Sequence, residues 1–152
     1  TRVCTTVLDA TSRQTTELVQ NATPITAAEL QAFRDAFSRW AREAQCVVIT
    51  GSMPAGTPVT FWHELLREVS VPTVLDIRGP ELLAVLPLRP TVIKPNREEL
   101  GHTCGQKLDG DAALLNATRD LQSRGAKSIV VTRLDTRLDS LIPVDGRTVE
   151  AP

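Results

Sequence analysis

The chain has no tyrosine, and aromatic residues make up only 3% of its 152 positions. Its core is therefore expected to be aliphatic, and it offers few rings on which nucleobases could stack. Histidine is scarce as well, with two residues, and the three cysteines, Cys4, Cys46 and Cys104, lie far apart without a C-x-x-C pair. Such a set does not complete a zinc cluster, so the thiols read as buried or idle and reduced. Charge of either sign is not in excess: 17 Lys and Arg against 18 Asp and Glu leave a net charge of -1. No basic surface advertises nucleic acid or anionic lipid. No apolar run approaches the ~18 residues of a membrane-spanning helix, and no secretory leader is legible from Thr1 onward. A cytoplasmic location is the expectation.

What is present suits one aliphatic α/β domain: 41% of residues are hydrophobic and 23% charged. Arg2 to Asp9 alternates and is rich in β-branched residues, and Thr15 to Val19 does the same after a turn. This predicts a strand pair over residues 1–24, of the kind a hairpin joins. Thr26 and Glu29 form a T-x-x-E capping box, followed by Leu30, Phe33, Phe37 and Trp40 at helical spacing. The run Cys46–Thr50 is short and wholly apolar, as in a strand buried on both faces. Helices over 58–69, 78–86, from Asn96 and over 110–124 alternate with strands at 73–76, 91–93 and 128–132, and Gly125 suits a helix end. Residues 25–132 thus read as a parallel α/β core with helices on both faces, and 133–152 as a C-terminal hairpin turning at Asp145-Gly146.

In parallel sheets ligands bind beyond the carboxyl ends of the strands. Four such ends carry polar residues and glycine: Thr50-Gly51-Ser52, Asp76-Ile77-Arg78-Gly79, Lys94-Pro95-Asn96 and Thr132-Arg133. In the loop GSMPAG, glycines allow close approach of backbone to a ligand, and Ser52 can donate to a phosphate or hydroxyl; a routine connection explains it too. In IKPNREE, Asn96 and Glu99 form a capping box, which is ordinary helix punctuation, but a cap has no need of Lys94, whose ammonium could meet a phosphate. Asp76 ends a strand, where a carboxylate could bind a sugar hydroxyl, a metal or a base-stabilising partner, although an Asx-type turn is the preferred reading; His63 and His102 read as surface or cap residues, and Trp40 and Trp62 as helix-face packing.

Taken together, VVITGSMPAGTP, VLDIRGPEL, VIKPNREEL and GAKSIVVT stand in the order and spacing of the PfkB, or ribokinase-like, carbohydrate kinases. The chain most resembles the branch of 1-phosphofructokinase and tagatose-6-phosphate kinase, whose pattern runs GSLPPG, D-x-S-G, KPN-x-x-EL, VTLG. The resemblance implies a three-layer α/β/α ribokinase-like fold, incomplete at both ends, and ATP-dependent phosphoryl transfer with Mg²⁺ to a sugar phosphate such as fructose 1-phosphate or tagatose 6-phosphate. By the same resemblance, Arg2, Gly51 and Ser52 face the substrate phosphate. Lys94, Asn96, Glu99 and Thr132 lie near the nucleotide phosphates, with Glu99 acting on the metal through water. The sequence also departs from the pattern. Arg78 replaces the serine of D-x-S-G, and Arg133-Leu134 stand where Leu-Gly is expected. The glycine-rich DTxGAGD segment, with its general base, has no match here, so no residue is assigned as catalytic. The chain is therefore expected to be a truncated or degenerate sugar kinase with little turnover on its own. Two other readings stand beside it: a non-catalytic module that binds a phosphorylated metabolite, and one piece of a split kinase that self-associates or pairs with a complementary chain.

Overall fold

The structure is a computed structural model describing residues 2–132 and the backbone of 138–142. The expected turn at Asp145-Gly146 lies outside the described residues. The chain begins with β1 (Val3–Leu8) and β2 (Thr15–Gln20), an antiparallel hairpin in which Val3 faces Gln20 and Leu8 faces Thr15. Asp9 closes its turn, accepting hydrogen bonds from the amides of Thr11 and Ser12 at 2.8 and 3.2 Å. Helix α1 (Ala27–Ala41) starts at the predicted capping box: the Thr26 hydroxyl accepts from the Glu29 amide, and the Glu29 carboxylate accepts from the Thr26 amide.

The remaining elements are β3 (Val47–Thr50), α2 (Phe61–Leu66), β4 (Thr73–Asp76), α3 (Gly79–Val85), a 3-10 turn at Leu86–Leu88, β5 (Val92–Ile93), α4 (Arg97–Cys104), α5 (Gly110–Ser123), β6 (Ser128–Thr132) and β7 (Leu138–Ile142). They build a sheet of order β3-β4-β5-β6-β7, parallel from β3 to β6, with β7 antiparallel to β6.

Register and alternation sort the sheet into two faces. Ile49, Leu75, Ile93 and Ile129 lie side by side, with Val47 and Val131 on the same face. That face forms the core with Leu66 of α2, Leu82 and Val85 of α3, Leu100 of α4 and Leu121 of α5. Each fully buried Leu or Ile contributes about 1.5–3 kcal/mol relative to an exposed one. On the opposite face Val48 is 64% exposed and Val74 and Val92 are half-buried, whereas Val130 of β6 is buried. The strands follow one another in space in chain order, so crossovers of one hand lay their helices on one side. The described residues therefore supply the sheet and one helix layer of the three-layer plan. The expectation that Cys46–Thr50 is buried on both faces does not hold for them: its strand alternates buried and exposed, and Cys46 is exposed.

Other local expectations shift for identifiable reasons. The helix expected over 58–69 shrinks to Phe61–Leu66, because Pro72 and the hydrogen bond from the Val47 amide to the Pro72 carbonyl (2.9 Å) require the chain to turn back into β4. The apolar stripe of α1 is only partly covered. Phe33 meets Phe37, Phe61 and Trp62, whereas Trp40 is 62% exposed beneath the Arg39 guanidinium, so it is not packing residue of the core. Gly125 ends α5 as expected. Its amide bonds to the Gln122 carbonyl and the Ala126 amide to the Leu121 carbonyl, a Schellman pattern. The backbone there has φ +133°, and an added Cβ would lie 2.0 Å from the Leu86 carbonyl oxygen, so only glycine fits.

Candidate active site

The parallel register places the ends of β3, β4, β5 and β6 along one edge of the sheet. A cavity of about 490 Å³ opens there, within the size range of small-molecule sites. Thr50, Gly51, Ser52 and Met53 line it from the end of β3, and Asp76, Ile77, Arg78 and Gly79 from the end of β4. Glu99 and His102 contribute from α4, Pro80 and Glu81 from α3, and Trp62 from α2. The hairpin supplies Arg2 and Glu17, which share one face of the two-stranded ribbon by its register. The connection after the hairpin is tied to the loop following β3 through the Ile25 amide and the Ala55 carbonyl, 3.0 Å apart.

The polar groups of this edge form two linked sets. Asp76 is engaged at both carboxylate oxygens: Lys94 Nζ lies 3.1 Å from Oδ1, and the Thr50 hydroxyl lies 3.4 Å from Oδ2. Its backbone carbonyl also accepts from the Gly51 amide at 3.2 Å. The side chain of Asp76 thus joins three strand ends, in place of the Asx turn expected for it. Lys94 and Asp76 are 40% and 33% exposed at their side chains, so the pair is open to water and weakly held. Gly51 itself has φ +96° with nothing near an added Cβ, so conformation and not space calls for glycine.

The second set centres on Glu99. Asn96 and Glu99 form the expected capping box, with the Glu99 amide donating to Asn96 Oδ1 (2.8 Å) and the Asn96 amide to Glu99 Oε2 (3.0 Å). The other carboxylate oxygen, Oε1, lies 3.5 Å from Arg78 Nη1. Beneath them the buried hydroxyl of Thr103 donates to the Glu99 carbonyl (2.7 Å) and accepts from the Gly79 amide (2.9 Å). This hydroxyl fixes the turn Arg78-Gly79, where φ of Gly79 is +67°, against α4.

The cavity therefore gathers Arg2, Gly51, Ser52 and Glu99 among the candidates proposed from sequence. Lys94, Asn96 and Thr132 stand on the neighbouring strand ends but do not line it; Asn96 and Thr132 pair in an isolated bridge beside β5 and β6. Residues given structural roles from sequence, Asp76 and His102, line the cavity, as do Arg78 and Glu17. Two signals could have found them. Arg78 is the departure from D-x-S-G, and His102 follows Glu99 by three residues, which places both on one helix face.

A polar cavity at the ends of parallel strands, lined in part by a hairpin, defines an α/β protein with a candidate small-molecule site. The family of pfkB carbohydrate kinases matches residues 1–134, and the chain belongs to it. Among solved structures, phosphofructokinase-2 from Escherichia coli in complex with fructose-6-phosphate superposes with a TM-score of 0.75 at 19% identity, over 96% of this chain and 49% of that one. The tetrameric inhibited form of the same enzyme gives 0.77 at 19% identity, over 97% and 49%. A possible 1-phosphofructokinase from Thermotoga maritima gives 0.76 at 21% identity, over 88% and 43%. At these identities the likeness shows the fold, ribokinase-like and partial. The chain spans about half the length of these proteins.

Proposed function

We propose that the cavity at the strand ends is the phosphate-binding half of an ATP-dependent sugar-phosphate kinase site. The observation that carries this reading is the convergence of Arg2, Ser52 and Glu99 on one cavity, with Lys94 on the next strand end. Arg2 and Ser52 suit the phosphate of a sugar phosphate such as fructose 1-phosphate or tagatose 6-phosphate, through charge and a hydroxyl donor. Lys94, Asn96 and Thr132 suit the phosphates of ATP. Lys94 can exchange the Asp76 carboxylate for a phosphate at little cost, because exposed pairs contribute only about 0–1 kcal/mol.

The fit to Mg²⁺ is poorer. Among the described residues no group of three or more His, Cys, Asp or Glu side chains could hold a metal ion. Glu99 is already bonded by the Asn96 amide and faced by Arg78, which leaves it an indirect role through water at most.

Phosphoryl transfer relies on positioning and charge stabilisation, with a base to activate the acceptor hydroxyl. Asp76 and Glu99 are both held in ion pairs, which suits binding more than proton abstraction. These 152 residues are thus expected to bind phosphorylated ligands with little turnover, as a cytoplasmic protein. That ion pairing also favours the second reading, a non-catalytic phosphometabolite-binding module. The bare sheet face at Val48 and the exposed apolar residues Val3, Val7 and Leu18 of the hairpin support self-association or pairing with a complementary chain. A coupled assay of the isolated chain with ATP, Mg²⁺ and fructose 1-phosphate tests the catalytic half of this account. The expected rate is at least ~10²-fold below that of a complete kinase, the scale of losing one anion-stabilising donor. A rate matching the complete enzyme overturns it.

A further inference from the structure

The cavity holds a guanidinium that the family pattern does not call for. Arg78 leaves the end of β4 in extended conformation as the residue before α3, with φ −140°. Its backbone is locked from the next residue onward: the Gly79 amide donates to Thr103 Oγ1, which in turn donates to the Glu99 carbonyl. The side chain, in contrast, is 60% exposed and lines the cavity. Among the described residues its one ion-pair partner is Glu99, at a long 3.5 Å and through Nη1 alone. A guanidinium carries five N–H donors in a planar fork that matches phosphate oxygens in pairs. Most of that capacity is unspent here. Arg2 lines the same cavity from the hairpin, so two arginines border one space.

The carboxylates around Arg78 are Glu17, Asp76, Glu81 and Glu99. Asp76 is bonded by Lys94 and Thr50, and Glu99 by the Asn96 amide, so neither needs Arg78 to be satisfied. A neutral polyol would give Arg78 nothing better than Glu99. A phosphate dianion would, because charge-assisted paired bonds are stronger than one long contact.

We propose that Arg78 is a ligand-binding residue that leaves Glu99 to clasp a terminal phosphate group in this cavity. The inference rests on the reading of the cavity as a phosphometabolite site and adds to it the residue that makes phosphate obligatory. Two sources share that chemistry, a sugar phosphate and the end of a nucleotide triphosphate. The sugar phosphate is the occupant we assign, because Arg78 lines the cavity with Arg2 and Ser52, whereas Lys94 and Thr132 lie outside it.

The test is calorimetric titration of the wild type, Arg78→Gln and Arg78→Lys with fructose 1-phosphate, fructose and ATP, with thermal melting as the folding control. Arg78→Gln is expected to weaken fructose 1-phosphate at least ~10-fold, the scale of one charge-assisted contact, and to leave ATP within about twofold. Arg78→Lys is expected to recover part of the loss, since it restores charge but not the fork. Equal affinity of the wild type and Arg78→Gln for fructose 1-phosphate overturns the assignment of Arg78 while leaving the cavity reading intact. A loss confined to ATP overturns the assigned ligand. Absence of binding by the wild type to either phosphate compound overturns the cavity reading and the inference together.

Discussion

Thr103 shows how one hydroxyl positions a site it does not line. Its oxygen accepts from the buried Gly79 amide and donates to the Glu99 carbonyl, so it ties the floor of the cavity to α4. Replacing it with valine keeps the shape but leaves the Gly79 amide without its acceptor. Thr103→Val is expected to lower stability by about 1–3 kcal/mol, the cost of an unsatisfied buried donor. Urea unfolding measures this, and a change below ~0.5 kcal/mol, the usual scale of a neutral surface change, contradicts it. This role was not legible in the sequence. Thr103 and Gly79 are 24 residues apart, and no local pattern connects them. Asn96 and Glu99 were legible because a capping box is a contact between residues three apart. Asp76 was misread for the opposite reason: its partners Lys94 and Thr50 lie on other strands, and only the parallel register brings them together.

At the scale of elements, the capping box of α1 and the side-chain contacts of Glu64 in α2 both favour an ionised carboxylate. In α1 the Thr26 hydroxyl, followed by the Thr26 amide, holds Glu29 below its ordinary value of 4.5. In α2 the Thr60 hydroxyl, followed by the Arg34 side chain, does the same for Glu64, which links α1 to α2. A folded-state value below the unfolded one means that the contribution is present above pH 4.5 and is lost as the pH falls through the depressed values. Acidification from pH 6 is therefore expected to loosen the start of α1 and its contact with α2 before the sheet is affected. Amide hydrogen exchange at a series of pH values reads this out. Uniform protection of α1 and the sheet down to full protonation would contradict it. Helix and strand order was legible from periodicity and from Thr26, Gly125 and Asn96. The length of α2 was not, because the hydrogen bond from Val47 to Pro72 that shortens it spans the whole element.

For the whole molecule, the sequence encodes more burial than the described residues provide. Val47-Val48-Ile49 is apolar throughout, yet Val48 is 64% exposed on the sheet face without helices. Val3 and Val7 are 49% and 50% exposed on one face of the hairpin, with Leu18 at 59% beside them. Contiguous apolar surface of this kind favours association. Sedimentation of the isolated chain is expected to show concentration-dependent oligomers, reduced by Val48→Lys or Val7→Lys; a strictly monomeric chain at high concentration contradicts this. The fold class was legible because four linked motifs mark the strand ends. The bare face was not, since an apolar strand reads the same whether or not its second layer is at hand.

The strand-end cavity and its neighbouring lysine are expected to bind phosphate. Calorimetric titration of the 152-residue chain with ATP, comparing the wild type with Lys94→Met, tests it most directly. Lys94 is half-exposed, so the variant is expected to fold, and its affinity for ATP is expected to fall by about tenfold or more, as for loss of a charged hydrogen bond. Saturable binding by the wild type with that loss in the variant is the predicted result. Absence of binding by the wild type, or equal binding by both proteins, would contradict the account.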